Sequence, residues 1–141
     1  MNTLKPLFFL FVTHVALGQS HLQEFYADGT LKSEGKTSDL GKEGTWKFYY
    51  PDRSINSVEE YRHDTLHGEV RYYDFAGNLI GKENWKQGLP QGSASYYYAD
   101  GSIEKRGIYQ NGLYQGEWQF FYEDSQLKRV GSYQQGLPHG D

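Results

Sequence analysis

Cysteine is absent from this chain, and its absence closes several readings at once. No disulfide can staple the fold, no thiolate can bind zinc or attack a substrate, and no lipid can be attached at a cysteine behind a leader. Methionine occurs once and proline four times. No apolar run approaches the roughly twenty residues that a helical membrane span needs. A basic surplus is missing too: 14 Lys and Arg stand against 18 Asp and Glu, a formal charge of −4. Phosphate-backbone binding needs clustered cations, so nucleic acid is not an expected partner. Aliphatic side chains are sparse after the first eighteen residues, which leaves aromatic cross-strand contacts to provide cohesion.

Those first eighteen residues form a different regime. Lys5 supplies a positive start, and Pro6 to Leu17 is apolar apart from Thr13 and His14. Small residues at Ala16 and Gly18 precede Gln19, the pattern of a cleavable signal peptide. Residues 1–18 are therefore read as a leader and 19–141 as the mature chain, exported to the periplasm or the extracellular space. Loss of Lys5 takes the formal charge from −4 to −5, and no integral span is expected in what remains.

Gly44, Gly68, Gly92, Gly116 and Gly140 recur at intervals of twenty-four residues. A fixed period of this length marks a repeat protein in which one supersecondary unit stacks on the next. Units fall at 20–43, 44–67, 68–91, 92–115 and 116–139. Each holds two runs of strand-forming residues and two turn signals. The first signal is Pro or Ala, then Asp, then Gly, as in Ala99-Asp100-Gly101, and suits a type I turn closed by a left-handed residue. Arg53 and Ser125 replace that glycine. The second signal, such as Gln134-Gln135-Gly136-Leu137-Pro138-His139-Gly140, reads as a loop that reverses the chain again. No window supports a helix. The fold class expected is all-β: about ten short antiparallel strands in a single twisted meander, roughly 45 Å long at the usual strand spacing.

Pairing Tyr50 with Ile55, Tyr98 with Ile103 and Tyr122 with Leu127 sets a register. It places Trp46, Phe48, Tyr50, Ile55 and Tyr61, with their equivalents in later units, on one face. It also sets Trp118 opposite Gly131 and Ala94 opposite Gly107, where a ring can lie over bare backbone. The other face carries one aromatic column, Phe25, Tyr49, Tyr73, Tyr97 and Phe121, among Lys47, Arg71, Lys82, Arg106 and Lys128. A bulge in the first hairpin would shift one strand and exchange part of these faces. Aromatics and Arg lead interface hot spots, so Tyr49, Tyr73, Tyr97, Phe121, Lys47 and Arg71 are the candidate binding residues.

Catalytic and metal chemistry find little support. His67 and His139 are equivalent but three units apart, roughly 29 Å at the strand spacing, and cannot share an ion. His21 and His63 lack a partner at ligand spacing in the sequence. Asp28, Asp52, Asp100 and Asp124 form a periodic acidic column, yet neighbouring copies lie roughly 9–10 Å apart, too far for one calcium sphere. They are read as turn residues bonding their own backbone. No Gly-x-Ser-x-Gly elbow or phosphate loop occurs, and Glu59-Glu60 and Glu123-Asp124 are consecutive, so their side chains diverge in a strand. No enzymatic activity, metal or cofactor is expected.

The stretch Tyr109 to Tyr122, recurring at Tyr61 to Tyr73 and Trp85 to Tyr97, resembles the MORN repeat in its bacterial variant form. The resemblance implies stacked antiparallel hairpins and a binding or scaffolding role, and bacterial relatives are often labelled antitoxin-like. This chain departs from the pattern at Tyr61-Arg62-His63-Asp64, where Asp replaces a glycine, and at Thr37 and Leu40 in the first unit.

Two functional expectations follow. One is an exported binding or scaffold module for a protein partner or an envelope polysaccharide. The other is an antitoxin or immunity protein that occludes a toxin. The segment Leu127 to Tyr133, followed only by a short polar loop, is expected to be an uncapped edge strand capable of self-association.

Overall fold

The computed structural model describes residues 11–15 and 18–140, with backbone alone for Phe11–Val15 and Gln19. Twelve strands follow one another: β1 (Phe11–Val15), β2 (Gln19–Phe25), β3 (Leu31–Ser38), β4 (Gly41–Tyr49), β5 (Ile55–Arg62), β6 (Thr65–Tyr73), β7 (Leu79–Lys86), β8 (Leu89–Tyr97), β9 (Ile103–Gln110), β10 (Leu113–Phe121), β11 (Leu127–Gln134) and β12 (Leu137–Pro138). They make one sheet whose spatial order is the chain order, every neighbour antiparallel. No helix occurs among the described residues, and the expected all-β meander is what the chain forms. Two strands exceed the expected ten. One is the two-residue β12; the other is β1, inside the segment read as a leader. Ala16 and Leu17 of the proposed cleavage point lie outside the described residues.

The first turn of each unit follows its sequence. In Tyr98-Ala99-Asp100-Gly101 the Gly101 N–H donates to the Tyr98 carbonyl, and Gly101 adopts φ +87°. Asp100 accepts from the backbone N–H and hydroxyl of Ser102, and Asp28 and Asp52 do the same with Thr30 and Ser54. These hydrogen bonds hold the three carboxyls below the ordinary carboxylate range. Arg53 and Ser125 take the glycine conformation, with φ of 74° and 64°. A left-handed L-residue costs about 1–2 kcal/mol, of which glycine's extra unfolded-state entropy returns part. Arg53→Gly should therefore raise stability by about 0.5–1 kcal/mol. The check is a higher urea midpoint at constant slope; an unchanged or lower midpoint would refute it.

The second turn is tighter than the sequence suggests. His63-Asp64, Gln87-Gly88, Asn111-Gly112 and Gln135-Gly136 are two-residue connections with positive φ at both positions, the type I′ geometry that matches strand twist. The following Leu89-Pro90-Gln91 and Leu113-Tyr114-Gln115 belong to β8 and β10 rather than to a loop. The period-24 glycines come next. At Gly116, φ +68°, β10 bulges from β9: Gln115 pairs with Ile108, and pairing resumes two residues out of step at Gln119 with Arg106. A shift of two preserves which side chains share a face.

The bulge at the first turn is different, because it shifts by one. Phe48 pairs with Ser57, but Tyr49 pairs with Ile55. Tyr97 likewise faces Ile103 and Phe121 faces Leu127. The expected pairs Tyr50–Ile55, Tyr98–Ile103 and Tyr122–Leu127 are thus corrected, and the aliphatic residue moves to the Tyr49 face. Tyr50 and Tyr98 sit in the turns instead, where their hydroxyls reach the next unit and donate to the Tyr73 and Phe121 carbonyls; Tyr26 does the same to Tyr49. At the opposite end, the turn N–H groups of Asp64, Gly88, Gly112 and Gly136 each donate to a carbonyl of the preceding unit. Both long edges of the repeat array are stitched in this way, at about 1 kcal/mol per bond.

The core is one layer thick. Trp46, Val70, Ala94 and Trp118 are between 0% and 3% exposed. Trp118 stacks on Tyr114 at 3.8 Å and meets Tyr109 edge-on at 5.1 Å. The Lys42 ammonium lies 4.7–4.9 Å from the rings of Trp46, Phe48 and Tyr61. Trp118 pairs with Gly131 as expected, but its ring covers Gly107 on the other neighbour, and Trp46 covers Gly35. The indole N–H sets that direction, donating to the Ile108 carbonyl from Trp118 and to the Lys36 carbonyl from Trp46.

At the C-terminal side, β12 pairs with Tyr133 and Gln134, and His139 N–H donates to Ser132 O. The edge expected over Leu127 to Tyr133 is therefore covered at its C-terminal end. Among the described residues it has no strand partner on that side from Leu127 to Gly131.

Candidate functional site

The two faces of the sheet have opposite characters. On the Trp face the polar groups satisfy one another. Glu83, 8% exposed, accepts from the Tyr72 hydroxyl (3.0 Å), the Trp85 indole N–H (2.8 Å) and the Tyr96 hydroxyl. Glu59 accepts from Ser57 and Tyr61, each at 2.7 Å, and Glu24 accepts from Ser33 at 2.7 Å. No buried side-chain nitrogen or oxygen among the described residues lacks a partner.

Burial and the neighbouring carboxylates push the phenols of Tyr61, Tyr72 and Tyr96 well above the ordinary tyrosine value, and burial pushes Tyr109 up to about 12. These phenols stay protonated in the sheet at pH values where the unfolded chain, near 10.0, already ionises. Unfolding then releases protons, so stability is fully present below pH 10 and falls as pH rises through and beyond it. Phenolate absorbance should appear together with loss of the β-sheet circular dichroism signal. Complete ionisation near pH 10 with the sheet intact would contradict the network.

The opposite face is built at the first-turn ends of the strands. Tyr49, Tyr73, Tyr97 and Phe121 stand on alternate strands, half-buried, as the sequence proposed. Ile55, Leu79, Ile103 and Leu127 stand between them, each directly paired with the preceding aromatic. The result is a continuous apolar row that crosses the sheet, alternating large and small. Those aliphatic residues were missed as site members because strict alternation put them on the Trp face. The signal was present, since a type I turn closed by a left-handed residue commonly carries a one-residue bulge. Shallow depressions open between ridges. One of about 390 Å³ is lined by Phe25, Leu31, Tyr49 and Arg53, and another of about 310 Å³ by Leu79, Tyr97 and Asp100.

One step from the turns, the same face carries cations. Lys47 and Arg71 are exposed and pair across β5 with Val58 between them. Arg71 and Lys82 both reach Glu69, at 3.3 and 2.8 Å, and Arg106 donates to Gln119 while lying 5.4 Å from the Phe121 ring. Lys128 sits at a bulge and turns to the Tyr122 ring at 5.2 Å, away from this group. The column is uneven in one respect. The Tyr49 hydroxyl donates to Glu34 at 2.7 Å, and burial followed by that bond raises its phenol to about 12. The Tyr73 and Tyr97 hydroxyls have no protein partner among the described residues.

Histidine chemistry stays pairwise. His21 lies 3.5 Å from Glu34 and His63 3.6 Å from Glu43, carboxylate partners that the chain spacing did not reveal. No group of three or more His, Asp or Glu that could hold a metal ion occurs among the described residues. No helix among them is long and apolar enough to cross a membrane.

Stacked hairpins of fixed period, stitched unit to unit, define a β-repeat protein. The MORN repeat variant profile matches residues 42–62, 66–87, 90–111 and 114–135, more than half of the chain. The chain belongs to that repeat family. The first unit, 20–43, falls almost wholly outside those matches, yet β2 and β3 pair with the same one-residue shift, Glu24 with Ser33 and then Phe25 with Leu31. No curated protein matches the chain.

Proposed function

We propose that this chain is a non-catalytic binding module, exported by its leader, and that its working surface is the face carrying Tyr49, Tyr73, Tyr97, Phe121, Lys47 and Arg71. The observation that carries the reading is the asymmetry of the faces. On the Trp face Trp46 and Trp118 are buried, the remaining aromatics are half-buried, and the carboxylates Glu59 and Glu83 are taken up by internal donors. The other face keeps a half-exposed apolar row beside exposed cations, the composition of an interface centre with a charged rim. Lys5 and the apolar segment to Leu17 support export, with a protein or an envelope polysaccharide as partner. An antitoxin or immunity role, suggested by the resemblance to antitoxin-like repeats, would use the same surface against a toxin.

Photo-crosslinking side chains placed at Lys47 or Arg106, in the chain expressed in its native host, should yield a discrete partner adduct. The same side chain at Arg129, exposed on the Trp face, should not. Adducts from Arg129 alone, or from none of the three, would overturn the assignment of the working surface.

A further inference from the structure

The spacing of the apolar row selects among partner conformations. Adjacent strands lie about 4.8 Å apart, so Tyr49, Tyr73 and Tyr97, on alternate strands, recur about every 9.6 Å. A polyproline II segment has three residues per turn and a rise of about 3.1 Å, so one of its edges recurs about every 9.3 Å. Across the three tyrosines the two lattices stay within about 1 Å. An extended β-strand presents the same side about every 6.7 Å and falls out of step at the second ring. An α-helix, with a pitch of about 5.4 Å, slips by more than 1 Å per ring even at every second turn.

The surface also has the relief and chemistry that such a segment uses. A trough lined by Leu79 lies beside Tyr97 within the row, and a second, lined by Leu31, lies between Phe25 and Tyr49 at its end; grooves beside aromatic rings accept stacked proline rings. Polyproline II carbonyls make no internal hydrogen bonds, and the Tyr73 and Tyr97 hydroxyls are uncommitted donors within the described residues. Lys47, Arg71, Lys82 and Arg106 flank the row from β4 to β9, and Glu69 is shared by two of them. Glu34 also stands opposite Lys47 on this face, so the strip carries charges of both signs, and the exposed Lys47, Arg71 and Arg106 are the groups that acidic side chains of a partner can reach.

We propose that the Tyr49–Tyr97 row is the docking groove for an acidic polyproline II segment of a partner protein, with an Asp or Glu at every third position. The proposal rests on reading this face as the working surface and names its occupant. The probe is a synthetic peptide of about four Pro-Pro-Glu turns, titrated calorimetrically into the full chain. Comparators are the Pro-Pro-Lys and Gly-Ser-Glu peptides of equal length, and polygalacturonate. The Pro-Pro-Glu peptide should bind at least about tenfold more tightly than either comparator peptide, and Tyr73→Ala should weaken it about tenfold. Lys47→Glu, at an exposed position, should weaken it too without lowering the melting temperature, which separates binding from folding.

Equal affinity for Gly-Ser-Glu would reduce the strip to unspecific electrostatics and overturn the groove. Binding of polygalacturonate alone would overturn the occupant while leaving the surface in place. Failure of every probe while Lys47 still crosslinks would again sink only the polyproline occupant; failure of the crosslink as well would remove the surface itself.

Discussion

Replacing Gly107 with alanine should destabilise the sheet by about 3 kcal/mol, at the upper end of what overpacking costs. A Cβ at Gly107 would lie well under 3.0 Å from Cγ, Cδ2 and Cε2 of Trp118. The ring has no route of escape. It is 0% exposed, stacked on Tyr114 at 3.8 Å, and fixed by its N–H bond to the Ile108 carbonyl at 3.0 Å. Either the indole leaves its slot and loses both contacts, or β9 and β10 separate. Urea unfolding should show a large drop in midpoint, and Trp fluorescence should shift to the red in the native baseline. Gly116→Asn is the control, because nothing lies within 4 Å of that position and Asn tolerates its φ of +68°. Trimming the ring in the Gly107→Ala background, with Trp118→Leu, should recover part of the loss, the mark of a direct clash. A Gly107→Ala protein that melts like wild type would mean that the ring does not occupy this site.

Glu83→Leu should cost about 3–5 kcal/mol, a large fraction of the 5–15 kcal/mol that holds a typical domain. The effect comes from what is left behind. Tyr72, Tyr96 and the Trp85 indole would each lose their acceptor on a face where water has little access, and each stranded donor costs about 1–3 kcal/mol. Glu83→Gln, which keeps one acceptor oxygen but adds two donors, should fall between. Adding Tyr72→Phe should cost less in the Glu83→Leu background than in wild type, since the hydroxyl it removes has already lost its partner. Additive losses in that double-mutant cycle would show that Glu83 does not organise these groups. The prediction also bears on function, because loosening the Trp face should disturb the row on the other side only through the shared strands.

Much of this architecture is legible in the chain alone. The spacing of Gly44, Gly68, Gly92, Gly116 and Gly140 announces the repeat, and Ala-Asp-Gly announces the first turn. Both signals survive translation because they concern neighbours in the chain: an Asx bond to residue i+2 and a positive φ are local events. The candidate column is legible for the same reason. Tyr49, Tyr73, Tyr97 and Phe121 do share a face, along with Lys47 and Arg71, because alternation holds within an uninterrupted strand.

The rest depended on offsets and on contacts between strands. A one-residue bulge after Phe48, Tyr72, Tyr96 and Phe120 reassigned every aliphatic partner. The two-residue bulge at the periodic glycines left the faces unchanged. Parity made the difference, and it cannot be counted from one strand alone. Trp118 could be placed opposite Gly131 by register. Only the Ile108 carbonyl, on the other neighbouring strand, decided that the ring would lie on Gly107. Glu83 gave no warning in the sequence, since its three donors come from β6, β7 and β8 and meet only when the hairpins stack. The amino-acid order by itself determined the repeat, the turns and the strand alternation, which are set by interactions a few residues apart. The tertiary structure alone decided ring direction and the closure of the buried network, and it fixed the register parity that the turn signal only suggests, because those energies arise between strands that the sequence brings together only after it has folded.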